Sequence, residues 1–65
     1  MGKEYIFNGF KKKTTFGEGV FTVGKRYKAI EGPDYYDDGQ EADALFRDDT
    51  GLEMWEELHN FTEAN

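Results

Sequence analysis

The stretch ADALFRDDTGLEMW, residues 42–55, decides the fold class predicted for this 65-residue chain. Its first half alternates, so that Ala42, Ala44 and Phe46 fall on one face of an extended segment and the residues between them on the other. The DDTG sequence that follows, at positions 48–51, predicts a hairpin turn, because Gly tolerates positive φ and Asp hydrogen-bonds to its own backbone. The stretch therefore predicts a strand that leads into an antiparallel hairpin.

The segment after this turn fits two structures. As a helix, it would begin at Thr50 with Glu53 in a capping box, and Met54, Leu58 and Phe61 would share one face. As a strand, it would pair back onto the alternating segment across the DDTG turn. We predict the strand, because a turn that directly follows a clear strand is typical of a hairpin.

The C-terminal end is expected to hold a short helical turn around Glu57–Phe61, with Leu58 and Phe61 packed on the core. Beyond it, Thr62–Asn65 is predicted to be frayed, since chain ends are poorly ordered unless something holds them.

The N-terminal end predicts a strand followed by a long loop. Residues 3–10 are rich in aromatic and β-branched side chains, and their alternation places Tyr5 and Phe7 on one face. Residues 11–20 hold three lysines and two glycines, which favour an exposed loop with Phe16 as its apolar anchor.

The middle of the chain predicts a further strand and a second loop. Residues 21–30 alternate, with Tyr27 and Ala29 inward, and a turn at Gly24 and Lys25 would start the strand. The next eleven residues, from position 31 to 41, contain a Gly-Pro pair and another glycine. We predict a loop there, because these breakers are too dense for a helix or a strand.

The composition indicates one small domain, residues 1–65, with a dense aromatic core. Its eleven aromatic side chains can supply that core, since each ring buries on the order of 150–250 Å². Cysteine is absent, which excludes disulfides and fits a reducing cytosol. No apolar run approaches the roughly 18–20 residues of a membrane span, and Met1–Phe10 lacks the apolar region of a signal peptide. We expect a soluble, cytoplasmic protein.

Three groups of turn and core residues recur in the order of a known family. They are Gly24, Lys25, Tyr27 and Ile30 in a strand, Asp48, Asp49 and Gly51 in a hairpin, and Asn60 and Phe61 near the end. Over roughly residues 3–61 this pattern resembles the small SH3-like β-barrel proteins of phages and prophages of Gram-positive bacteria. The resemblance implies a mainly β, SH3-like barrel of four to five antiparallel strands, and a modulator of host machinery in the host cytoplasm. The heavy acidity between Glu31 and Asp43 departs from that pattern.

Charge is divided along the chain, although the net charge is −6. Residues 1–30 carry seven basic side chains against two acids, whereas residues 31–65 carry twelve acids against Arg47 alone. The two halves could attract each other across one fold. Alternatively, the acidic side stays exposed as one field that suits a basic partner.

We predict a non-enzymatic protein-binding module that acts through an acidic and aromatic surface. The predicted partner-binding residues are Asp34, Tyr35, Tyr36, Asp37, Asp38, Glu41, Asp43, Trp55 and Glu56. Other acids of the second half, from Asp48 to Glu57, could join them. Because carboxylates at close spacing resemble the charge density of duplex DNA, such a field could imitate DNA. The expected partner is a basic or DNA-binding host protein, which a phage modulator or inhibitor would bind, and the chain could be a monomer or a homodimer.

A nucleic-acid-binding barrel is the alternative prediction. Lys11, Lys12 and Lys13 stand near Phe10 and Phe16, and lysines beside aromatic rings are typical of surfaces that bind a phosphate backbone and stack bases. The negative net charge counts against this alternative, because it repels nucleic acid.

Cofactor, metal and catalytic sites are not expected. A phosphate-binding pattern beginning at Gly19 has Arg26 where Ser or Thr must coordinate magnesium. A calcium loop laid on residues 34–45 has Tyr36 and Leu45 at two ligand positions. With one histidine, no serine and no cysteine, the usual nucleophile triads cannot be built.

Overall fold

A computed structural model of the chain describes residues 2–11 and 17–64. The described part contains six strands and one 3₁₀ turn. These are β1 (Glu4–Phe7), β2 (Arg26–Lys28), β3 (Glu31–Tyr35), β4 (Glu41–Arg47), β5 (Glu53–Glu57), the 3₁₀ turn (Leu58–Asn60) and β6 (Phe61–Ala64). The predicted mainly β class and the short helical turn near the C-terminus are confirmed.

The strands form two three-stranded antiparallel sheets. One sheet has the order β2-β1-β6 and the other the order β3-β4-β5. In the first sheet, Tyr5 of β1 lies opposite Tyr27 on one side and Glu63 on the other. In the second sheet, β4 is the central strand and pairs with both its neighbours in sequence. The described strands number six, one more than the four to five predicted.

The core lies between the inner faces of the two sheets and is mostly aromatic. Its buried members are Tyr5, Phe7, Tyr27, Ala29, Ala44, Phe46, Leu58 and Phe61. Phe46 is completely buried, and its ring stacks on that of Phe61 with a centroid distance of 4.5 Å. Tyr5 meets the ring of Phe46 edge-on at 5.7 Å. Ring pairs of this kind contribute about 0.5–1.5 kcal/mol beyond the area that they bury.

The DDTG hairpin turn is confirmed, and Asp48 organises it. Its carboxylate accepts hydrogen bonds from the backbone N–H groups of Val20, Thr50 and Leu52 and from the Thr50 hydroxyl. The bond from the Thr50 hydroxyl and the other donors stabilise the ionised form and lower the pKa of Asp48 to about 2.

The strand predicted after the turn is also confirmed. β5 pairs with β4 from Glu53 to Glu57, so tertiary pairing outweighs the helix propensity of this segment.

The loop predicted for residues 31–41 is wrong in its first half, where Glu31–Tyr35 forms β3. β3 lies at the edge of its sheet, where the missing N–H of Pro33 is tolerated, and its pairing with β4 is irregular. Gly32 has a φ of +89°, and a Cβ added to it would lie 3.3 Å from the Cα of Ala44. The glycine that predicted a loop therefore permits a close approach to β4.

The fraying predicted for residues 62–65 is wrong where the structure describes them. Phe61–Ala64 forms β6, which pairs with β1 along its whole length. Phe61 anchors the strand in the core, and the Asn8 amide donates a 2.6 Å hydrogen bond to the Thr62 hydroxyl. These contacts hold the chain end in place.

Further predictions concern residues 21–30 and the loop anchor Phe16. The strand predicted for residues 21–30 is shorter, Arg26–Lys28, and the predicted anchor Phe16 lies outside the described residues. Tyr27 and Ala29 are buried, as the alternation predicted.

In the described ranges, no helix has the length and apolar character needed to cross a membrane.

We predict that Phe46→Leu lowers the free energy of unfolding by about 1–2 kcal/mol, because it removes the stacked ring and leaves space in the core. Urea denaturation measures the change. Tyr36→Leu, at a residue that is 52% exposed, is the control and should stay within about 0.5 kcal/mol of the parent protein. Equal losses in the two variants would contradict the central place of Phe46 in the core.

Candidate protein-binding surface

The face of the β3-β4-β5 sheet that points away from the core is acidic and aromatic. Side chains directly opposite each other in an antiparallel pair share a face, and β4 turns Ala42, Ala44 and Phe46 to the core. The opposite face is called the outer face below. It carries Glu31, Asp34, Asp43, Leu45, Arg47, Glu53, Trp55 and Glu57. Five of these eight side chains are acidic and one is basic. Tyr35 and Glu41 pair beyond a register shift, next to the turn between β3 and β4.

A row of three carboxylates crosses the outer face. Asp43 of β4 lies opposite Asp34 of β3 on one side and opposite Glu57 of β5 on the other. Neighbouring strands are about 4.8 Å apart, so three like charges stand close together. Burial, followed by the charges of Asp34 and Glu57, raises the pKa of Asp43 above its ordinary value. Its Oδ1 atom is buried and has no hydrogen-bond partner.

An apolar pair lies beside this row. Leu45 and Trp55 are opposite each other, two residues along their strands from Asp43 and Glu57, and both are half-buried. Tyr35, the last residue of β3, is 59% exposed beside the turn to β4. The outer face therefore presents aromatic surface and negative charge side by side.

Two acids of this sheet, Glu41 and Glu53, are already paired. Lys3 donates to the Glu41 carboxylate at 2.7 Å, and the hydroxyl of Tyr5 donates to the same carboxylate at 3.1 Å. The hydrogen bond to Glu41 raises the pKa of Lys3, while burial, with the Glu41 bond second, raises the pKa of Tyr5 to about 12. Arg47 forms an ion pair with Glu53.

The predicted residues Tyr36, Asp37 and Asp38 lie in the exposed turn between β3 and β4. The turn is closed by a hydrogen bond from the Gly39 N–H to the Tyr36 carbonyl and by one from the Gln40 N–H to the Asp38 carboxylate. It continues directly from the end of the outer face. Of the nine predicted partner-binding residues, Asp34, Asp43 and Trp55 lie on the outer face, Tyr35 and Glu41 lie at the two ends of this turn, and three lie within it.

The ninth, Glu56, was predicted at the surface, and that prediction is wrong. Glu56 lies opposite Ala44 on the inner face of β5 and is completely buried. Alternation along β5 places Glu53, Trp55 and Glu57 outward, so the residue between the last two must point inward.

Asp48 and Asp49 do not join the acidic face either. Asp48 caps the hairpin turn, while Asp49 accepts hydrogen bonds from the side chains of Thr22, Lys25 and Tyr27. The Thr22 bond, followed by the Lys25 and Tyr27 bonds, lowers the pKa of Asp49 below its ordinary value.

The divided charge was interpreted either as attraction between the two halves or as an exposed acidic side, and features of both are present. Lys3 reaches Glu41 and Glu63, and Lys25 reaches Asp49, so basic side chains of the first half do pair with acids of the second. The carboxylates of Asp34 and Asp43 on the outer face are not among the ion pairs between described residues.

The sequence reasoning missed Glu31 and Leu45 as parts of this surface. Alternation did place Leu45 opposite to the core face of β4. The register across the sheet was the missing information, and the short turn that brings Arg47 opposite Glu53 sets it.

The alternative lysine site is described only at Lys11. Its side chain is exposed, and its backbone N–H donates to the buried Asn60 amide oxygen at 3.2 Å. Lys12 and Lys13 lie outside the described residues. Across residues 2–11 and 17–64, no group of three or more histidine, aspartate or glutamate side chains is arranged to hold a metal ion, and no pocket is found.

Asp43→Asn should stabilise the protein at pH 7 by about 0.2–1 kcal/mol, because it removes the central charge of a row of like charges. The pKa of Asp43 is raised, so the ionised form destabilises the fold only as pH rises above the unfolded value of 3.8. The gain should therefore vanish at pH 3. Urea unfolding at both pH values measures it.

The matched control for this experiment is Asp37→Asn, which makes the same charge change in the exposed turn. A gain of equal size in the control, or a gain that persists at pH 3, would contradict the repulsion within the row.

Comparison of the chain with protein-family models, with curated proteins and with solved structures found no match. Its function is therefore inferred from the chemistry of the outer face.

Proposed function

We propose that this chain is a non-enzymatic protein-binding module whose outer face binds a basic segment of a partner protein. The observation that carries the proposal is the position of the Leu45–Trp55 pair directly beside the Asp34–Asp43–Glu57 row. Interfaces gain most of their binding energy from a few aromatic anchors, while complementary charge speeds association and selects the partner.

The carboxylate row suits lysine or arginine side chains. A cationic donor near Asp43 would relieve the repulsion among the three carboxylates. Aliphatic parts of the same side chains would pack on Leu45 and Trp55, as long charged side chains do on apolar surface. Charge and apolar contact would therefore come from the same residues of the partner.

A protein partner fits this face better than nucleic acid does. Phosphate neutralisation dominates nucleic-acid affinity, and five acids against one arginine on this face repel phosphates. A DNA-binding protein, in contrast, carries the basic surface that the face complements. More specifically, we propose that the chain is a phage-type modulator or a DNA-mimicking inhibitor of a host protein.

We also propose that the two sheets together form an SH3-like barrel. Its support is the chain order: β1 pairs with both the second strand and the last, the middle three strands form a meander, and a 3₁₀ turn precedes β6. A long connection also separates β1 from β2, as the resemblance in sequence implies.

The binding test uses a synthetic peptide in which arginine alternates with leucine, titrated into ¹⁵N-labelled protein. We expect amide shifts in β3, β4 and β5, a change in the fluorescence of Trp55, the only tryptophan, and weaker binding as salt rises from 0.05 to 0.3 M. Asp34→Lys should weaken binding about three- to tenfold, and Tyr35→Ala about fivefold or more.

The matched control is Glu4→Lys, which makes the same charge change on the β2-β1-β6 sheet. It should leave the affinity within about twofold. Equal weakening by Asp34→Lys and Glu4→Lys, or shifts confined to β1, β2 and β6, would reject the outer face. Binding of duplex DNA that Lys11→Glu abolishes would favour the nucleic-acid alternative instead.

A further inference from the structure

Glu56 is a buried acid that the proposed function does not use. Its side chain is 0% exposed on the inner face of β5, where it lies opposite Ala44. One carboxyl oxygen, Oε2, accepts a 3.3 Å hydrogen bond from the Gly19 N–H, and the other, Oε1, is buried without a hydrogen-bond partner. A buried carboxyl with an unpartnered oxygen is costly, above all when it is ionised.

The segment that Glu56 contacts, residues 17–22, is called the flap. Two neighbouring acids also hold it. The Val20 N–H donates to the Asp48 carboxylate at 3.0 Å, and the Val20 carbonyl accepts from the Asp49 N–H at 2.8 Å. Thr22 adds a 2.6 Å bond from its hydroxyl to the Asp49 carboxylate and a 2.7 Å bond from its N–H to the Tyr27 hydroxyl. Residues 17–22 belong to none of the described strands, so these bonds fasten the flap.

The flap covers part of the aromatic core. The Phe21 ring lies 4.9 Å from the ring of Tyr27 and 5.8 Å from that of Phe61, measured between centroids. Gly19 is packed so closely that an added Cβ would lie within 2.4 Å of the Met54 sulfur atom, a contact that no real Cβ makes. The same Cβ would lie 2.8 Å from the Phe21 ring, so Gly19 and Phe21 are packed against each other.

Within residues 2–11 and 17–64, the charged groups that act on Glu56 are all acidic. Burial is the largest influence and raises the pKa of Glu56 to about 7, and the charges of Glu18, Glu57 and Asp48 raise it further. The Gly19 N–H opposes this rise with a single hydrogen bond. Ionisation would therefore place a charge in the core beside three like charges.

We propose that the flap is a proton-controlled latch, which is docked while Glu56 carries its proton and loosens when that proton passes to water. This inference is independent of the outer face and of any partner that binds there. It concerns only residues 17–22, the inner face of β5 and the β4–β5 hairpin.

The direction of the pH dependence follows from the two kinds of acid that hold the flap. Glu56 has a raised pKa, so its contribution is complete below the unfolded value of 4.5 and is lost as pH rises through about 7. Asp48 has a lowered pKa of about 2, so its contribution is complete above 3.8 and is lost below that value. The flap should be docked most firmly near pH 4–5 and loosen up to pH 7.

Hydrogen exchange followed by NMR tests the latch at the amides of Gly19, Val20 and Asp49. After correction for the intrinsic exchange rate, their protection should fall by about tenfold or more between pH 5 and pH 7.5. The Ala29 amide, which donates to Lys3 in the other sheet, should change by less than about twofold. The ¹³C signal of the Glu56 carboxyl should titrate with a midpoint near 7.

Glu56→Gln should remove the pH dependence of flap protection, and Glu53→Gln, on the exposed side of the same strand, should retain it. A carboxyl midpoint below 5 in the parent protein would overturn the latch, even if Glu56→Gln failed to fold. An equal loss of protection at Ala29 would also overturn it, because the whole domain would then be opening. Neither result would affect the binding test on the outer face.

Discussion

The structure depends on the two-sided packing of β4. Phe46 on its inner face stacks on Phe61, which joins the β3-β4-β5 sheet to β6 and so to the other sheet. The same alternation turns Asp43 and Leu45 to the exterior. Successive side chains of a strand point to opposite faces, so the alternating sequence of β4 determines both the core and the outer face. A register shift of one residue in β4 would exchange the two sets of side chains.

The acids of the second half divide into two groups with different physical roles. Asp48 and Asp49 accept hydrogen bonds from backbone and side-chain donors, which lowers their pKa values and fastens the flap to the hairpin. Asp43 and Glu56 are held where burial and like charges raise their pKa values. The first group gains stability from its charge. The second group destabilises the fold when it is ionised, and pKa values perturbed in this way cluster at functional positions.

Local patterns were sufficient for the parts of the fold that depend on neighbours in sequence. Alternation identified Ala44 and Phe46 as core, and DDTG identified the hairpin. Prediction failed where distant pairing decides the structure: Pro33 is tolerated because β3 is an edge strand, and Thr62 is ordered because β1 pairs with it. The same reason explains the error at Glu56, since its inward direction depends on the register between β4 and β5.

A chain of this size has little stability to spare, on the order of 0.05–0.15 kcal/mol per residue. Packing does not require a carboxyl group at position 56. An apolar side chain of similar size would fill the same space opposite Ala44 on the inner face. The like charges of the outer face pose the same question, because strand pairing does not require them. Both features reduce the stability of the isolated chain, and both become favourable when something outside it changes: a proton is bound at Glu56, or a cation is placed beside Asp43.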